Sequence, residues 1–341
     1  MKITEHSFST DRHTSFYLSC GPENGQLVIM THGWPELSLS WRHQLSFLGN
    51  LGFHAVAPDM RGYGNSSIYD EHTAYTQEEV MQDMLELFNH FKKDKAIWIG
   101  HDWGSVVAWN VAIHHPEIVK GVASLCVPFG WGGHPERYLP YVDRDLYPED
   151  EFPYGQWDYQ FFHMENFDIA KNDMETDPYK MLKLMFRKAD PTSRGQMSPT
   201  ALISKMGGWF KILGPDGLNS IGNVEPDTDV VTEEEIKVFG DHLVQNGFFG
   251  PNSWYVNGHA NDKFAKVIDR FEIPFPALLI HAELDAVLDT KTSKMTNLTR
   301  AVCTDLTEKS IVSGHWMAQE KPDEVNQVIS NWIDGKIIKG S

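Results

Sequence analysis

Three residues lying far apart in the chain could do nucleophilic chemistry if a fold brought them together. The stretch Gly100-His101-Asp102-Trp103-Gly104 follows the apolar run Ala96-Ile97-Trp98-Ile99 and precedes Ser105-Val106-Val107-Ala108-Trp109, which suits a helix. Glycines two positions either side of a central acid, between a strand and a helix, mark a sharp turn that lifts one side chain clear of a sheet edge. An aspartate there either caps the helix or serves as a nucleophile. Two further segments separate these readings. Leu279-Ile280-His281-Ala282-Glu283-Leu284-Asp285 puts an acid just past an apolar run, and Ser313-Gly314-His315-Trp316 puts a histidine past the next. Taken singly, a loop acid is usually a turn residue, and a lone histidine is usually structural. Together, Asp102, Asp285 and His315 follow the nucleophile, acid, base order that such turns carry. Upstream, Thr31-His32-Gly33-Trp34-Pro35-Glu36 supplies a glycine-containing loop after another apolar run. The backbone N–H groups of Trp34 and Trp103 are the expected oxyanion hole.

An aspartate nucleophile changes what can be attacked. A serine alkoxide attacks carbonyls, whereas a carboxylate displaces at saturated carbon and forms an alkyl ester. Strained or activated carbons, such as those of epoxides and alkyl halides, are the fitting substrates. His315, oriented by Asp285, is then the base that takes a proton from water, and that water attacks the carboxyl carbon of Asp102. Asp285 holds the imidazole tautomer and stabilises its cation without becoming protonated. No His-Glu-x-x-His or comparable ligand cluster occurs, so neither a metal nor a cofactor is expected.

These residues need a sheet to hold them. Short apolar runs recur at Leu27-Val28-Ile29-Met30, His54-Ala55-Val56-Ala57, Ala96–Ile99 and Val122-Ala123-Ser124-Leu125. They lack polar alternation, as strands buried on both faces do. Between the second and third, Thr76 and Glu79 predict a capping box opening a helix whose Val80, Met84, Leu87, Phe88 and Phe91 recur at helical spacing. Strand, helix, strand in this rhythm predicts a mostly parallel α/β sheet. The rhythm stops over residues 131–266, which are rich in Pro, Gly and aromatics, with a second capping box at Thr232 and Glu235. It resumes at Ala277-Leu278-Leu279-Ile280 and near Ser310-Ile311-Val312, and a last helix carries Val325, Val328, Ile329, Trp332 and Ile333. The expected organisation is a core of residues 1–130 and 267–341 interrupted by a helical insertion, residues 131–266.

Composition narrows the partners. Among 341 residues, 29 Lys and Arg face 47 Asp and Glu, a formal net charge of −18, so a nucleic-acid partner is not expected. Hydrophobic residues make up 41%, with 11 Trp, 11 Tyr and 19 Phe, enough for a large core and an apolar pocket besides. No stretch approaches the roughly 20 apolar residues of a membrane span. The opening residues carry no secretory signal, and three scattered cysteines make no disulfide framework or zinc site. A cytoplasmic setting is expected.

The segments His32-Gly33-Trp34-Pro35-Glu36, Asp59-Met60-Arg61-Gly62-Tyr63-Gly64-Asn65-Ser66 and Gly100–Gly104 resemble the core motifs of the α/β-hydrolase-fold epoxide hydrolases, in particular the hydrolase domains of soluble epoxide hydrolases. Related dehalogenases share much of these motifs. More specific are two stretches of the insertion. Asp158-Tyr159-Gln160 is similar to the segment bearing that family's first catalytic tyrosine. Val231-Thr232-Glu233-Glu234-Glu235-Ile236, running on to Gly250-Pro251-Asn252-Ser253-Trp254-Tyr255, is similar to the segment bearing the second. The resemblance implies an α/β-hydrolase fold in which residues 131–266 form a cap, and it implies that Tyr159 and Tyr255 donate to the epoxide oxygen. It also makes His32, Gly33, Pro35 and Trp316 the expected substrate neighbours. The expected partners are a small apolar epoxide and water, and the oligomeric state, monomer or homodimer, stays open. No phosphatase segment precedes the motifs, so that second activity of some relatives is not expected. The rival enzyme is a haloalkane dehalogenase using the indole N–H groups of Trp34 and Trp103. A binding protein that kept the fold without turnover would have no need of the whole residue set.

Overall fold

The computed structural model describes residues 1–266 and 272–339. Among these, eight strands form one sheet: β1 (Thr4–Ser9), β2 (Thr14–Cys20), β3 (Leu27–Thr31), β4 (His54–Pro58), β5 (Ala96–His101), β6 (Val119–Leu125), β7 (Ala277–Ala282) and β8 (Leu306–Ile311). Their spatial order is β1-β2-β4-β3-β5-β6-β7-β8. Neighbours from β4 to β8 pair in parallel, and β1 and β2 join by antiparallel pairing. β3, β4, β5 and β7 are buried along their whole length, as the unbroken apolar runs require.

The outer strands differ. β1 and β2 carry no such run: β1 is partly or fully exposed throughout, and β2 alternates before it becomes buried. β8 begins earlier than its apolar residues suggest, because Glu308, Lys309 and Ser310 are exposed on an edge strand. Between β6 and β7 the described residues hold helices and no sheet strand, including Asp158–Glu165, Pro178–Met185, Glu233–Asn246 and Gly258–Ala265. The expected boundary after residue 266 meets residues 267–271, outside the described residues. No helix among the described residues is long and apolar enough to cross a membrane.

Three helices of the first part follow strands: α1 (Arg42–Asn50), α2 (Gln77–His90) and α3 (Trp103–His114). The two predicted capping boxes part company. At Thr232 both halves form, with the Thr232 N–H donating to Glu235 and the Glu235 N–H to the Thr232 hydroxyl at 2.8 and 3.2 Å. At α2 only the Thr76 side chain caps, accepting from the Glu79 N–H. Glu79 is drawn away by Arg12, whose guanidinium donates to its carboxylate at 2.8 Å. The last helix, Pro322–Trp332, buries Val325, Ile329 and Trp332 at the predicted spacing.

The chain order reverses across the sheet between β3 and β5, the place where open α/β sheets form their crevice. There α3 approaches the backbone of β3 very closely. A Cβ on Gly104 would lie 2.1 Å from the Thr31 carbonyl oxygen and 2.6 Å from that of His32. A Cβ on Gly100 would lie 2.4 Å from the Gly104 carbonyl oxygen. Both contacts are with backbone, which cannot rotate aside. Gly104→Ala is therefore expected to cost about 1–3 kcal/mol, as overpacking does, and to lower the urea midpoint of unfolding. An unchanged midpoint would contradict this close-packing account.

Candidate active site

Four loops leave the carboxyl ends of parallel strands and converge. Asp102 follows β5, the Trp34 loop follows β3, Asp285 follows β7 and His315 follows β8. Asp102 holds φ 51° and ψ −126°, a conformation that costs a non-glycine residue energy and persists only where the surroundings enforce it. The glycine contacts at positions 100 and 104 supply that enforcement. The turn leaves the Asp102 carboxylate facing the Trp34 loop, and the Trp34 N–H donates to Asp102 Oδ1 at 2.8 Å. Gly33 permits this approach, since a Cβ there would lie 2.2 Å from the same oxygen. Trp103 is the first residue of α3, so its N–H has no partner within the helix.

His315 lies between two carboxylates. Its Nδ1 pairs with Asp285 Oδ2 at 2.7 Å, and its Nε2 lies 3.7 Å from Asp102 Oδ2, near enough for attraction but too far for a hydrogen bond. Burial disfavours the imidazolium, but Asp285 and Asp102 outweigh burial and hold His315 well above its ordinary value. Asp285 is itself buried, which favours its acid form. His315 and the backbone N–H groups of Val287 and Leu288, at 2.9 and 3.0 Å, reverse that and hold it below the usual carboxylate range. The tautomer is thereby fixed: Nδ1 carries a proton to Asp285, and Nε2 faces Asp102.

Tyr159 and Tyr255 reach the same place from the segment between β6 and β7. Their rings are 5.7 Å apart, and both line one cavity with Asp102, His315, Trp34 and Trp316. This cavity has a volume of about 400 Å³ and otherwise apolar walls that include Leu184, Met185, Ile203 and Met206. Burial raises both phenols above their ordinary value, and the Asp102 charge adds to this, so both stay protonated at neutral pH. Gln160 donates to the Tyr159 hydroxyl at 3.0 Å, which leaves the phenol hydrogen free to point elsewhere.

Not every expected residue touches the cavity. His32, Gly33 and Pro35, expected beside a substrate, are buried and are not among the residues that line it. His32 is committed to the backbone, with Nδ1 at 2.9 Å from the Gly33 carbonyl and Nε2 accepting from the Met60 N–H at 2.9 Å. Trp316 does line the cavity, its indole donating to the Met185 carbonyl at 2.6 Å. The Trp34 indole, a candidate halide donor, instead donates to Asn252 Oδ1 at 3.0 Å. The Trp103 indole faces the Tyr255 hydroxyl.

Further residues hold the site together. Glu36 pairs with His101 Nδ1 at 2.8 Å and accepts from the Gly33 N–H at 3.1 Å, while His101 Nε2 meets the His315 carbonyl oxygen at 2.8 Å. This buried pair ties the Trp34 loop, the Asp102 turn and the His315 loop together. Both residues lie inside quoted motifs, so the motifs themselves were the available signal. His163 stacks on Tyr255 with centroids 4.5 Å apart and planes 8° apart, and nothing in its sequence context marks it. Burial pushes it down to about 3, so it is a neutral ring at working pH. His101, Cys126 and His315 form the one cluster of possible metal ligands among the described residues. The His101 nitrogens and Nδ1 of His315 are already engaged, so the cluster offers an ion no three free donors.

Known proteins resemble this chain over most of its length. The chain is 34% identical to bifunctional epoxide hydrolase 2 of Rattus norvegicus over 322 residues, covering 92% of this chain and 52% of that protein. It thus spans about half the length of that relative and of its counterparts in Sus scrofa and Mus musculus, of which it also covers 52%. Epoxide hydrolase A of Mycobacterium tuberculosis is 28% identical, with 97% of this chain and 98% of that protein covered. The crystal structure of epoxide hydrolase A from Mycobacterium thermoresistibile superposes with a TM-score of 0.79 at 29% identity, over 98% of this chain and 99% of that one. The sequence profile of the alpha/beta hydrolase fold matches residues 26–322, a span running through every strand from β3 to β8. The chain belongs to the alpha/beta hydrolase fold family.

Proposed function

We propose that the protein is an epoxide hydrolase that opens small apolar epoxides to vicinal diols through an alkyl ester on Asp102. The observation that carries this reading is the pair of protonated phenols, Tyr159 and Tyr255, opening onto the cavity that holds the Asp102 carboxylate. Attack of Asp102 on a ring carbon leaves an alkoxide, and two phenols are the donors such an oxygen needs. A halide needs no acid, and of the two indoles that would serve it the Trp34 indole is spent on Asn252 and the Trp103 indole faces the Tyr255 hydroxyl. Relatives of equal length, such as that of Mycobacterium tuberculosis, carry the same name, so the reading does not lean on the longer bifunctional proteins. In this reading residues 131–266 are a cap over the core of residues 1–130 and 267–341, and the tyrosines belong to the cap.

The proton ledger closes. In the free enzyme the imidazolium of His315 sits between two carboxylates. Ring opening consumes one proton, given by a phenol and made good from the His315 pair. Esterification also removes the Asp102 charge, which weakens the hold on the imidazolium at the moment a base is required. His315 then takes a proton from water, whose oxygen attacks the ester carbon. The tetrahedral oxyanion is met by the N–H groups of Trp34 and Trp103. On collapse the departing alkoxide takes the second proton of the water, so the diol leaves, Asp102 returns as a carboxylate and the first proton stays on His315.

Two outcomes follow from these roles. Loss of either phenol should slow ester formation on the order of 100-fold, as loss of one oxyanion donor does. Tyr159→Phe/Tyr255→Phe should be nearly inactive yet folded, because Phe keeps almost the same volume. Single-turnover kinetics on styrene oxide checks this, and near wild-type ring opening in the double variant would return the tyrosines to packing. The second outcome concerns pH. Hydrolysis of the ester needs neutral His315, so its rate should fall as pH drops through the imidazole value of the esterified enzyme. Ring opening draws on the imidazolium and should instead slow as pH rises through the higher value of the free enzyme. Stopped-flow tryptophan fluorescence separates the two phases, and ring opening that accelerates with pH would contradict the assignment.

A further inference from the structure

The two sides of Asp102 differ in size. On one side lies the apolar cavity of about 400 Å³ already described. On the other lies a space of only about 30 Å³, walled by Trp103, Val106, Trp131, Tyr138 and Trp157 among others. Asp102, Tyr159 and Leu288 line both spaces, so the two meet at the attacking carboxylate and at one of the two phenols. A void of 30 Å³ has room for a water or two, or for a methyl group.

The wall of the smaller space is built to stay shut. Trp131, Tyr138 and Trp157 form a packed aromatic cluster, with centroids 3.9 Å apart for Trp131 and Tyr138, 4.9 Å for Trp131 and Trp157, and 5.3 Å for Tyr138 and Trp157. Tyr138 is locked in place: its hydroxyl accepts from the Gly132 N–H at 2.7 Å and donates to the Gly133 carbonyl at 3.2 Å. Beyond the cluster a separate recess of about 480 Å³ begins, lined by Trp131, Val106 and Gly132 from its other side. The aromatic cluster is therefore a partition between the reacting carboxylate and an outer recess, with Trp131 facing both.

We infer that the site selects epoxides carrying one apolar substituent, with a hydrogen or methyl group on the other ring carbon, and that Trp131 is the residue that excludes a second large substituent. The inference rests on the epoxide-hydrolase reading and adds the shape of the substrate to it. An epoxide held with its oxygen toward Tyr159 and Tyr255 has its two ring carbons flanking that oxygen. One substituent then enters the large apolar arm, and the other meets the partition.

The test compares styrene oxide, its methyl-substituted analogue and trans-stilbene oxide, which adds a second phenyl ring. The wild-type enzyme should favour styrene oxide over trans-stilbene oxide in kcat/KM on the order of 100-fold, with the methyl analogue closer to styrene oxide. Trp131→Ala joins the small space to the recess and should narrow the styrene-to-stilbene ratio at least roughly tenfold. Comparable kcat/KM for the two oxides in the wild type overturns the inference, whatever the variant does. A ratio unmoved in a folded Trp131→Ala enzyme overturns the role given to Trp131. Diol from none of the three overturns the epoxide reading and this inference with it, whereas diol from all three without preference overturns the inference alone.

Discussion

The strained turn at Asp102 is the constraint on which the rest of the site depends. Its positive φ lifts the carboxylate off the end of β5, and close backbone contact at Gly100 and Gly104 holds it there. The same closeness of α3 to β3 brings the Trp34 N–H within 2.8 Å of the carboxylate. The Asp102 carboxylate and the Trp34 N–H, the proposed nucleophile and oxyanion donor, are thus fixed by one packing arrangement at the point where the chain order of the sheet reverses. A side chain at either glycine would force these elements apart, and both functions would move together.

Charge supplies the second layer. Asp102, His315 and Asp285 place one imidazole between two carboxylates in a partly buried site, where such interactions are stronger than in water. This arrangement makes the protonation state of His315 depend on whether Asp102 bears a charge. In the proposed mechanism, forming the ester removes that charge and so loosens the proton on the base. Behind this site, Glu36 and His101 bind three of the four converging loops through hydrogen bonds to Gly33 and His315. A buried pair of this kind is costly to desolvate, so its value lies in fixing geometry rather than in stability.

Legibility in the sequence followed the strength of the local physics. Central strands announce themselves because burial on both faces demands unbroken apolar runs, and β3 to β7 lie where those runs fall. The outer strands β1 and β2 do not, because exposure along β1 and at the start of β2 permits polar residues. The turn at Asp102 was legible because only glycine tolerates the contacts at positions 100 and 104. The capping box at Thr76 was half right, since nothing nearby in sequence shows that Arg12 competes for Glu79. Likewise His32 looked available until the Met60 N–H and the Gly33 carbonyl were seen to occupy it. Stacking of His163 on Tyr255 joins residues far apart in sequence and leaves no local trace. The asymmetry of the cavity is of the same kind, for it arises from how Trp131, Tyr138 and Trp157 pack rather than from any motif.

The central claim is that water attacks the carboxyl carbon of Asp102 and not the substrate. A single turnover of styrene oxide in oxygen-18 water, followed by mass spectrometry of the diol and of the peptide containing Asp102, tests it most directly. The account predicts the heavy oxygen in the Asp102 carboxylate and unlabelled oxygen in the diol. Label in the diol, with Asp102 unchanged, would mean direct attack of water on the ring and would contradict the covalent route.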